Sequence, residues 1–327
     1  MIKSKMLTSS YELKASPGGK KGNRKLMKRI LSNWQVYLFL LLPLIYILIY
    51  NYYPMLGLQI AFKDFNVKDG IWGSPFVGFK HFKKFFESYQ FTRVLRNTLV
   101  LSFYTILATF PLPIIFALLL NSVRKERFKK FVQTATYMPH FISLVVMVGI
   151  MMQIFNSRSG IYGTVYEFIT GSYPSDLFGS ASKFPHLYVW SEVWQSFGWG
   201  SIVYLAALTS ISPELHEAAE IDGANRFQRV LHVDLPGILP TATVMLILRA
   251  GQVMSIGFEK VYLMQNSLNM SSSEIISTYV YKIAMGIDSL PNYSYSTAIG
   301  LFNSVVNLCL IVCVNSICRK LSETSLW

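Results

Sequence analysis

The stretch that decides the reading runs from residue 212 to residue 240: SPELHEAAEIDGANRFQRVLHVDLPGILP. It is polar and charged, and it lies between two hydrophobic stretches each long enough to span a membrane. Ser212 is placed to N-cap a helix, and Pro213 suits the first helical position. Glu214 falls in the first turn, where a carboxylate favours the positive helix end. Ala218 and Ala219 are small, so that face can approach a partner closely. Gly223 lets the backbone leave the helix. Asn225-Arg226-Phe227-Gln228 has the form of a second cap with its capping box. Pro236 and Pro240 stop that helix and open the next span. On the residues alone two readings stand level: a surface helix-turn-helix that merely joins two spans, and a docking element held in a fixed shape by another protein.

Outward from this segment the chain is a membrane protein. Of its 327 residues 14% are charged and 52% apolar, and the apolar ones gather in blocks of about twenty. Six helical spans are expected, at residues 34–53, 97–120, 137–155, 187–211, 237–258 and 296–318, giving an all-α polytopic fold. The first follows a basic stretch without a small-residue cleavage site, so it reads as a retained signal-anchor. Residues 1–29 are basic and rich in Gly and Ser, and are expected to form a disordered cytoplasmic tail. The net charge is +13, and 14 of the 30 Lys/Arg lie before residue 30 or within 124–130. These clusters flank spans and belong to no nucleic-acid-binding fold, so they read as cytoplasmic anchors at the lipid surface and nucleic acid is excluded as a partner. With both termini in the cytoplasm, 18 Lys/Arg lie inside and 11 outside, with Arg249 within a span. Seven of the outer ones sit in the long first loop, 54–96, where the rule is weakest. Cys309, Cys313 and Cys318 all fall in the last span and read as packing residues. The five histidines lack metal-ligand spacing, and no cofactor is expected.

Segments 161–170 and 275–286 are amphipathic and belong at the interface. Ser271-Ser272-Ser273-Glu274 reads as a capping box for the second. Aromatics at 51–54 and 62–65 mark where the first span leaves the bilayer. Pro111 and Pro113 interrupt the second span and Pro139 opens the third. Broken helices line moving pathways, though prolines also occur in spans without a role.

Two further groups stand out. Trp190 and Trp194 are four residues apart, as are Gln195 and Trp199, which places each pair on one helix face. Positions 249, 252, 256 and 259 form one stripe of a continuous helix, carrying Arg249, Gln252 and Glu259. An ionisable side chain within a span faces a cavity or a partner, because lipid exposure costs at least about 2.5 kcal/mol. The tryptophans equally suit an interfacial belt. Arg249 equally suits a carboxylate of another chain or a neighbour such as Glu192.

Glu217-Ala218-Ala219, three residues, Gly223, nine residues and then Val233-Asp234-Leu235-Pro236 resembles the EAA motif of bacterial ABC-importer permeases. Val233 replaces the family's isoleucine. The wider stretch 190–240, with Tyr204-Leu205-Ala206-Ala207 and Ile221-Asp222-Gly223-Ala224, is similar to sugar-importer permeases. YYPMLGLQIAFKDF at 52–65 resembles the subgroup that handles oligosaccharides and polysaccharide fragments. The resemblance covers residues 30–320 and implies a type I, MetI-like permease fold in a bacterial cytoplasmic membrane. It makes 212–236 a coupling segment seated in a cleft of an ATP-hydrolysing subunit, with Glu217, Ala218, Ala219, Asp222, Gly223, Leu235 and Pro236 at the matching positions. It implies a second, different permease, two copies of the ATP-binding subunit and an extracytoplasmic solute-binding protein. For a sugar, the aromatic planes and amides of Trp190, Trp194, Gln195, Trp199 and Gln252 offer stacking and hydroxyl contacts, and Arg249 suits an acidic one.

No G-x-x-x-x-G-K-[ST] run is present, so ATP hydrolysis belongs to another subunit. An intramembrane enzyme would need a clustered nucleophile, carboxylate pair or metal set. The chain has no H-E-x-x-H and no G-x-S-x-G. An importer of another solute shares the EAA motif, and the similarity across 190–224 is what favours sugar.

Overall fold

The computed structural model describes residues 32–287 and 289–322. The expected basic tail, 1–29, lies outside them. Among the described residues the regular elements are all helical, apart from one isolated bridge between Lys63 and Phe76. The chain forms two compact units, Met1–Gly57 and Leu58–Trp327.

The first unit carries α1, Trp34–Ile47, and none of its residues is buried. A helix apolar on every face suits a lipid environment. The helical path does not stop at residue 53 as expected. It runs through a π turn, Leu48–Tyr52, and a short helix, Tyr53–Met55, and reaches Phe62 as a 3₁₀ turn. The exit aromatics Tyr52 and Tyr53 therefore lie within it and are exposed.

The second unit contains α2 (Tyr89–Thr109), α3 (Pro111–Asn121), α4 (Glu126–Tyr137), α5 (Leu144–Ile154), α6 (Phe184–Thr209), α7 (Pro213–Ile221), α8 (Leu235–Ala250), α9 (Phe258–Met264), α10 (Ile276–Met285) and α11 (Tyr293–Ser322). Trp34–Phe62, Tyr89–Asn121, Arg226–Ala250 and Tyr293–Arg319 are long and apolar enough to cross a membrane. Pro111 thus starts a new hydrogen-bonded segment, but α2 and α3 still run on as one 33-residue rod.

Two further expected spans differ from their sequence reading. The third is not one helix. The helix that ends at Phe141 and α5 meet at 98°. Ile142 and Ser143 are extended, and the Ser143 hydroxyl accepts the Val146 amide at 3.3 Å as a new N-cap. The 11 residues of α5 reach only about 16 Å, half a hydrocarbon core. The fifth span ends at Ala250, not 258. A 3₁₀ turn at Val253–Ser255 follows, then Gly257 at φ +23°, where a Cβ would sit 2.0 Å from the Tyr188 hydroxyl.

The helix at the fourth expected span, α6, holds the unit together. It is 26 residues long, but Ser191, Glu192, Gln195, Ser196 and Ser201 keep it out of the strongly apolar set. It can carry them because protein surrounds much of it. Near its start Phe184, Tyr188 and Val189 pack with Met147, Val148 and Met151 of α5 and with Val261 and Met264 of α9. Near its end Tyr204 and Leu208 pack with Ala117 and Leu118 of α3 and with Ile238 and Ala242 of α8. Between them Gly198 lies against α4, where a Cβ would meet the Thr136 carbonyl oxygen at 2.3 Å.

The segments at 161–170 and 276–285 are helices, each closed by a left-handed glycine, Gly171 and Gly286. The capping box expected at 271–274 does not form. Ser271–Ser273 belong to a short helix of their own, and Glu274 turns inward to Arg93. Of the cysteines, Cys318 is buried while Cys309 and Cys313 are exposed on α11.

Candidate coupling segment and polar cavity

The segment at 212–236 is folded by its own short-range bonds. Ser212 occupies the N-cap position of α7, but its side chain makes no capping bond, so Pro213 and Glu214 carry the start. Gly223, at φ +80°, reverses the chain, and the Ala224 amide returns to the Ala219 carbonyl at 2.9 Å. The capping box at Asn225 is present in full: the Gln228 amide donates to Asn225 Oδ1 at 2.9 Å, and the Asn225 amide to Gln228 Oε1 at 2.8 Å. Arg229 ties the second helix back to Glu220. His216 Nε2 stands 3.4 Å from Asp234 Oδ1, with Asp234 buried beneath the hairpin. A hollow of about 250 Å³ opens at the reversal, lined by Ala219, Asp222 and Gly223.

What this hairpin shows to the outside is the informative part. Glu217, Ala218, Asp222, Gly223 and Pro236 are exposed, Ala219 and Leu235 half-buried. Glu220 has Arg229, but no cation lies within 4 Å of Glu217 or Asp222 among the described residues. Ile221 is 86% and Phe227 74% exposed. Two free carboxylates beside bare apolar side chains, on a locally stiffened hairpin, make a surface suited to a complementary protein.

The expected substrate-path residues do not form one site. Trp190 and Trp194 line an apolar hollow of about 350 Å³ at the bend between α4 and α5, with Met147 and Ile150. Trp190 Nε1 donates to the Tyr104 hydroxyl at 3.0 Å, which pairs with His186 at 2.9 Å. Gln195 Nε2 donates to the Ile142 carbonyl at 3.1 Å. It thereby satisfies an acceptor that the bend removes from the helical ladder. Trp199 stacks on His140 with centroids 4.5 Å apart. Gln195 and Trp199 therefore secure the bend.

Arg249 and Gln252 do share a cavity, of about 170 Å³, with Thr105, Thr109, Tyr188 and Glu192. They reach it without the helical stripe expected from sequence. That stripe is broken at Ala250, so Gln252 and Ile256 enter from irregular backbone, and Glu259 lies outside, exposed in the first turn of α9. Arg249 Nη1 donates to Thr109 Oγ1 at 2.7 Å. No carboxylate lies within 4 Å of it among the described residues. Glu192 is taken by Lys260, whose Nζ is 2.9 Å from Oε2 and 5.1 Å over the Tyr188 ring. The Thr105 hydroxyl is buried on the cavity wall without a partner. Thr105 and Thr109 were missed in the sequence, although their spacing of four puts both on one face of α2. The cavity thus presents a guanidinium, an amide and a free hydroxyl where helices α2, α6 and α8 meet.

Comparison with known proteins agrees with this architecture. The model of the family described as "Binding-protein-dependent transport system inner membrane component" matches residues 91–323. Protein LplB of Bacillus subtilis is 46% identical over 292 residues, covering 89% of this chain and 91% of that protein. The polygalacturonan/rhamnogalacturonan transport system permease protein YteP of the same organism is 39% identical over 308 residues, 94% and 95% of the two chains. Among solved structures, a chain of a bacterial ABC transporter that imports the acidic polysaccharide alginate superposes with a TM-score of 0.83 at 37% identity. The match covers 91% of this chain and 99% of that one. The family match, the two curated relatives and the shared MetI-like fold place this chain among the inner-membrane permease components of binding-protein-dependent ABC transport systems.

Proposed function

We propose that this chain is one of two permease subunits of an ATP-driven importer for an oligosaccharide, with a carboxylate-bearing saccharide as the best candidate cargo. The observation that carries the reading is the exposed hairpin at 212–236, where no cation lies within 4 Å of Glu217 or Asp222 among the described residues. It is a stiff element with a surface left open. ATP binding and hydrolysis are assigned to a separate subunit present in two copies, whose cleft takes α7. Glu217 pairs there with a basic residue, and Gly223 and the capping box at Asn225 keep the lever rigid. A second, homologous permease supplies the other wall of the path, and an extracytoplasmic binding protein supplies cargo. The termini and 212–236 lie on the cytoplasmic side.

The names of the relatives support a saccharide cargo. One is a permease for polygalacturonan and rhamnogalacturonan, and the superposing structure belongs to an alginate importer. The cavity at Arg249 fits such a cargo, because a guanidinium with no carboxylate within 4 Å among the described residues can take one from a uronate. The path opens and closes when α7 is pushed. α6 joins that lever to two core clusters, so a displacement near Thr209 moves the walls of the cavity.

Purification of the chain from native membranes in a mild detergent tests this, with co-purifying proteins identified by mass spectrometry. Recovery of an ATPase bearing the Walker motif together with a second EAA-bearing permease is the expected result. Recovery of the chain alone, under conditions that keep other importers intact, refutes it.

A further inference from the structure

The end of the bundle where α6 begins, remote from 212–236, carries a second polar cavity. It measures about 500 Å³, within the range of roughly 300–1,000 Å³ typical of ligand sites. Lys84 from the helix Lys80–Phe86, Arg93 from the start of α2 and Lys282 from α10 line it, together with Glu274. Among the described lining residues these three cations face a single carboxylate. Glu274 is 4% exposed and is held by Arg93 on one oxygen and by Lys282, at 3.6 Å, on the other.

The cations keep donors in reserve. Arg93 Nε is buried with no hydrogen-bond partner. The hydrogen bond found for Lys282 Nζ goes to the Met270 sulfur, a weak acceptor, at 3.2 Å. Lys84 is exposed and has no carboxylate within 4 Å among the described residues. Its Nζ sits 4.9 Å over the Tyr295 ring, and the Arg93 guanidinium lies 5.8 Å from the Tyr89 ring centre. Flat aromatic faces beside under-used cationic donors recognise an anion that also has a C–H face. Lys84 and Arg93 are two of the seven Lys and Arg in the long first loop, 54–96.

We propose that this cavity binds the carboxylate of an acidic saccharide unit, as an entry site separate from the cavity at Arg249. The proposal rests on the saccharide-importer reading and adds a position and a charge requirement to it. A lipid phosphate offers the same oxygen chemistry. The polar and tyrosine-rich wall favours the saccharide, because acyl chains would need an apolar groove such as the one at Trp190 and Trp194.

The test uses the full chain in nanodiscs of phosphatidylcholine, with trigalacturonate as probe and maltotriose as neutral control. Direct titration is expected to show binding of trigalacturonate and at least about tenfold weaker binding of maltotriose, the scale of one charge-assisted hydrogen bond. Lys84→Gln, which leaves the Glu274 cluster paired, is expected to weaken trigalacturonate about tenfold. Raising salt from about 50 to about 300 mM weakens it further. Lys282→Gln should act in the same direction, with thermal unfolding reporting whether that variant stays folded. Equal binding by Lys84→Gln and the unaltered chain overturns the site, as does equal binding of the two sugars or no binding at all. Displacement of trigalacturonate by phosphatidylglycerol added to the disc assigns the cavity to lipid and also overturns it. None of these readouts needs the ATPase, so they fail independently of the co-purification that tests the importer reading.

Discussion

The hairpin at 212–236 and the break at 251–257 are both irregular stretches beside α8, yet they hold their shapes by different means. The hairpin is tied by bonds between near neighbours: Asn225 with Gln228, Ala224 with Ala219, Arg229 with Glu220. The break is tied by distant ones. Ser102 of α2 donates to the Val253 carbonyl. Asn307 of α11 accepts the Met254 amide at 2.9 Å and donates to Ser255 Oγ at 2.8 Å. Tyr188 of α6 fills the space over Gly257. The first is self-contained. The second has a shape that depends on where three other helices stand.

If that contrast holds, substitutions at the break should unsettle the whole chain, while those at the hairpin should be felt locally. The largest effect is expected from Gly257→Val, which forces a β-branched residue into φ +23° and against Tyr188. The two penalties together amount to about 3 kcal/mol or more. Size-exclusion chromatography with thermal unfolding should show little stable protein, with partial recovery on adding Tyr188→Phe. Asn307→Leu strands the Met254 amide and should cost about 2 kcal/mol, seen as a lower melting temperature of the whole chain. Asn225→Ala removes one cap, worth about 1 kcal/mol. Hydrogen exchange should quicken across 213–229 with the global melting temperature unchanged. A global shift as large as that of Asn307→Leu would erase the distinction. Glu217→Gln should change stability by less than about 0.5 kcal/mol and still weaken retention of the ATPase, read from pull-down yield.

The smallest effect concerns a third place. Asp64 is held below the ordinary carboxylate value of 3.8, first by the hydrogen bond from Lys80 at 2.6 Å and then by charge from Lys80 and His81, against some desolvation. A depressed folded-state value contributes stability above the unfolded value, and that contribution is lost as pH falls through the folded one. The pair is exposed, so the loop at 63–80 should loosen only slightly, and only below about pH 4. Lys80→Gln should remove that acid-dependent step in loop proteolysis.

The same contrast explains what could be read in the sequence. The glycine turn at 223 and the capping box at Asn225 are chemistry between residues three to five apart, and both formed. The break at Gly257 came from partners far off in the chain, in a run apolar enough to pass as continuous helix. Pro139 did announce a disturbance, but the new helix begins at Leu144, capped by Ser143. Gln195, read as a ligand for sugar, is used by the Ile142 carbonyl that this bend releases. Glu274 looked like a local cap and instead answers Arg93 across the fold. Arg249 was legible because a cation within a span has few places to go. Its cavity-mates Thr105 and Thr109 were not, since threonines are ordinary in such helices.

If an ATPase grips α7, a residue on its exposed face must lie beside that subunit. The direct measurement is site-specific cross-linking from Ala218→Cys, with Cys309, Cys313 and Cys318 replaced by serine, in the assembled transporter with and without ATP. A cross-link to the ATP-hydrolysing subunit is expected, lost on Glu217→Lys, while the chain keeps its melting temperature. An intact, transporting complex in which Ala218→Cys reaches no ATPase, yet labels freely with a water-soluble maleimide, would contradict it.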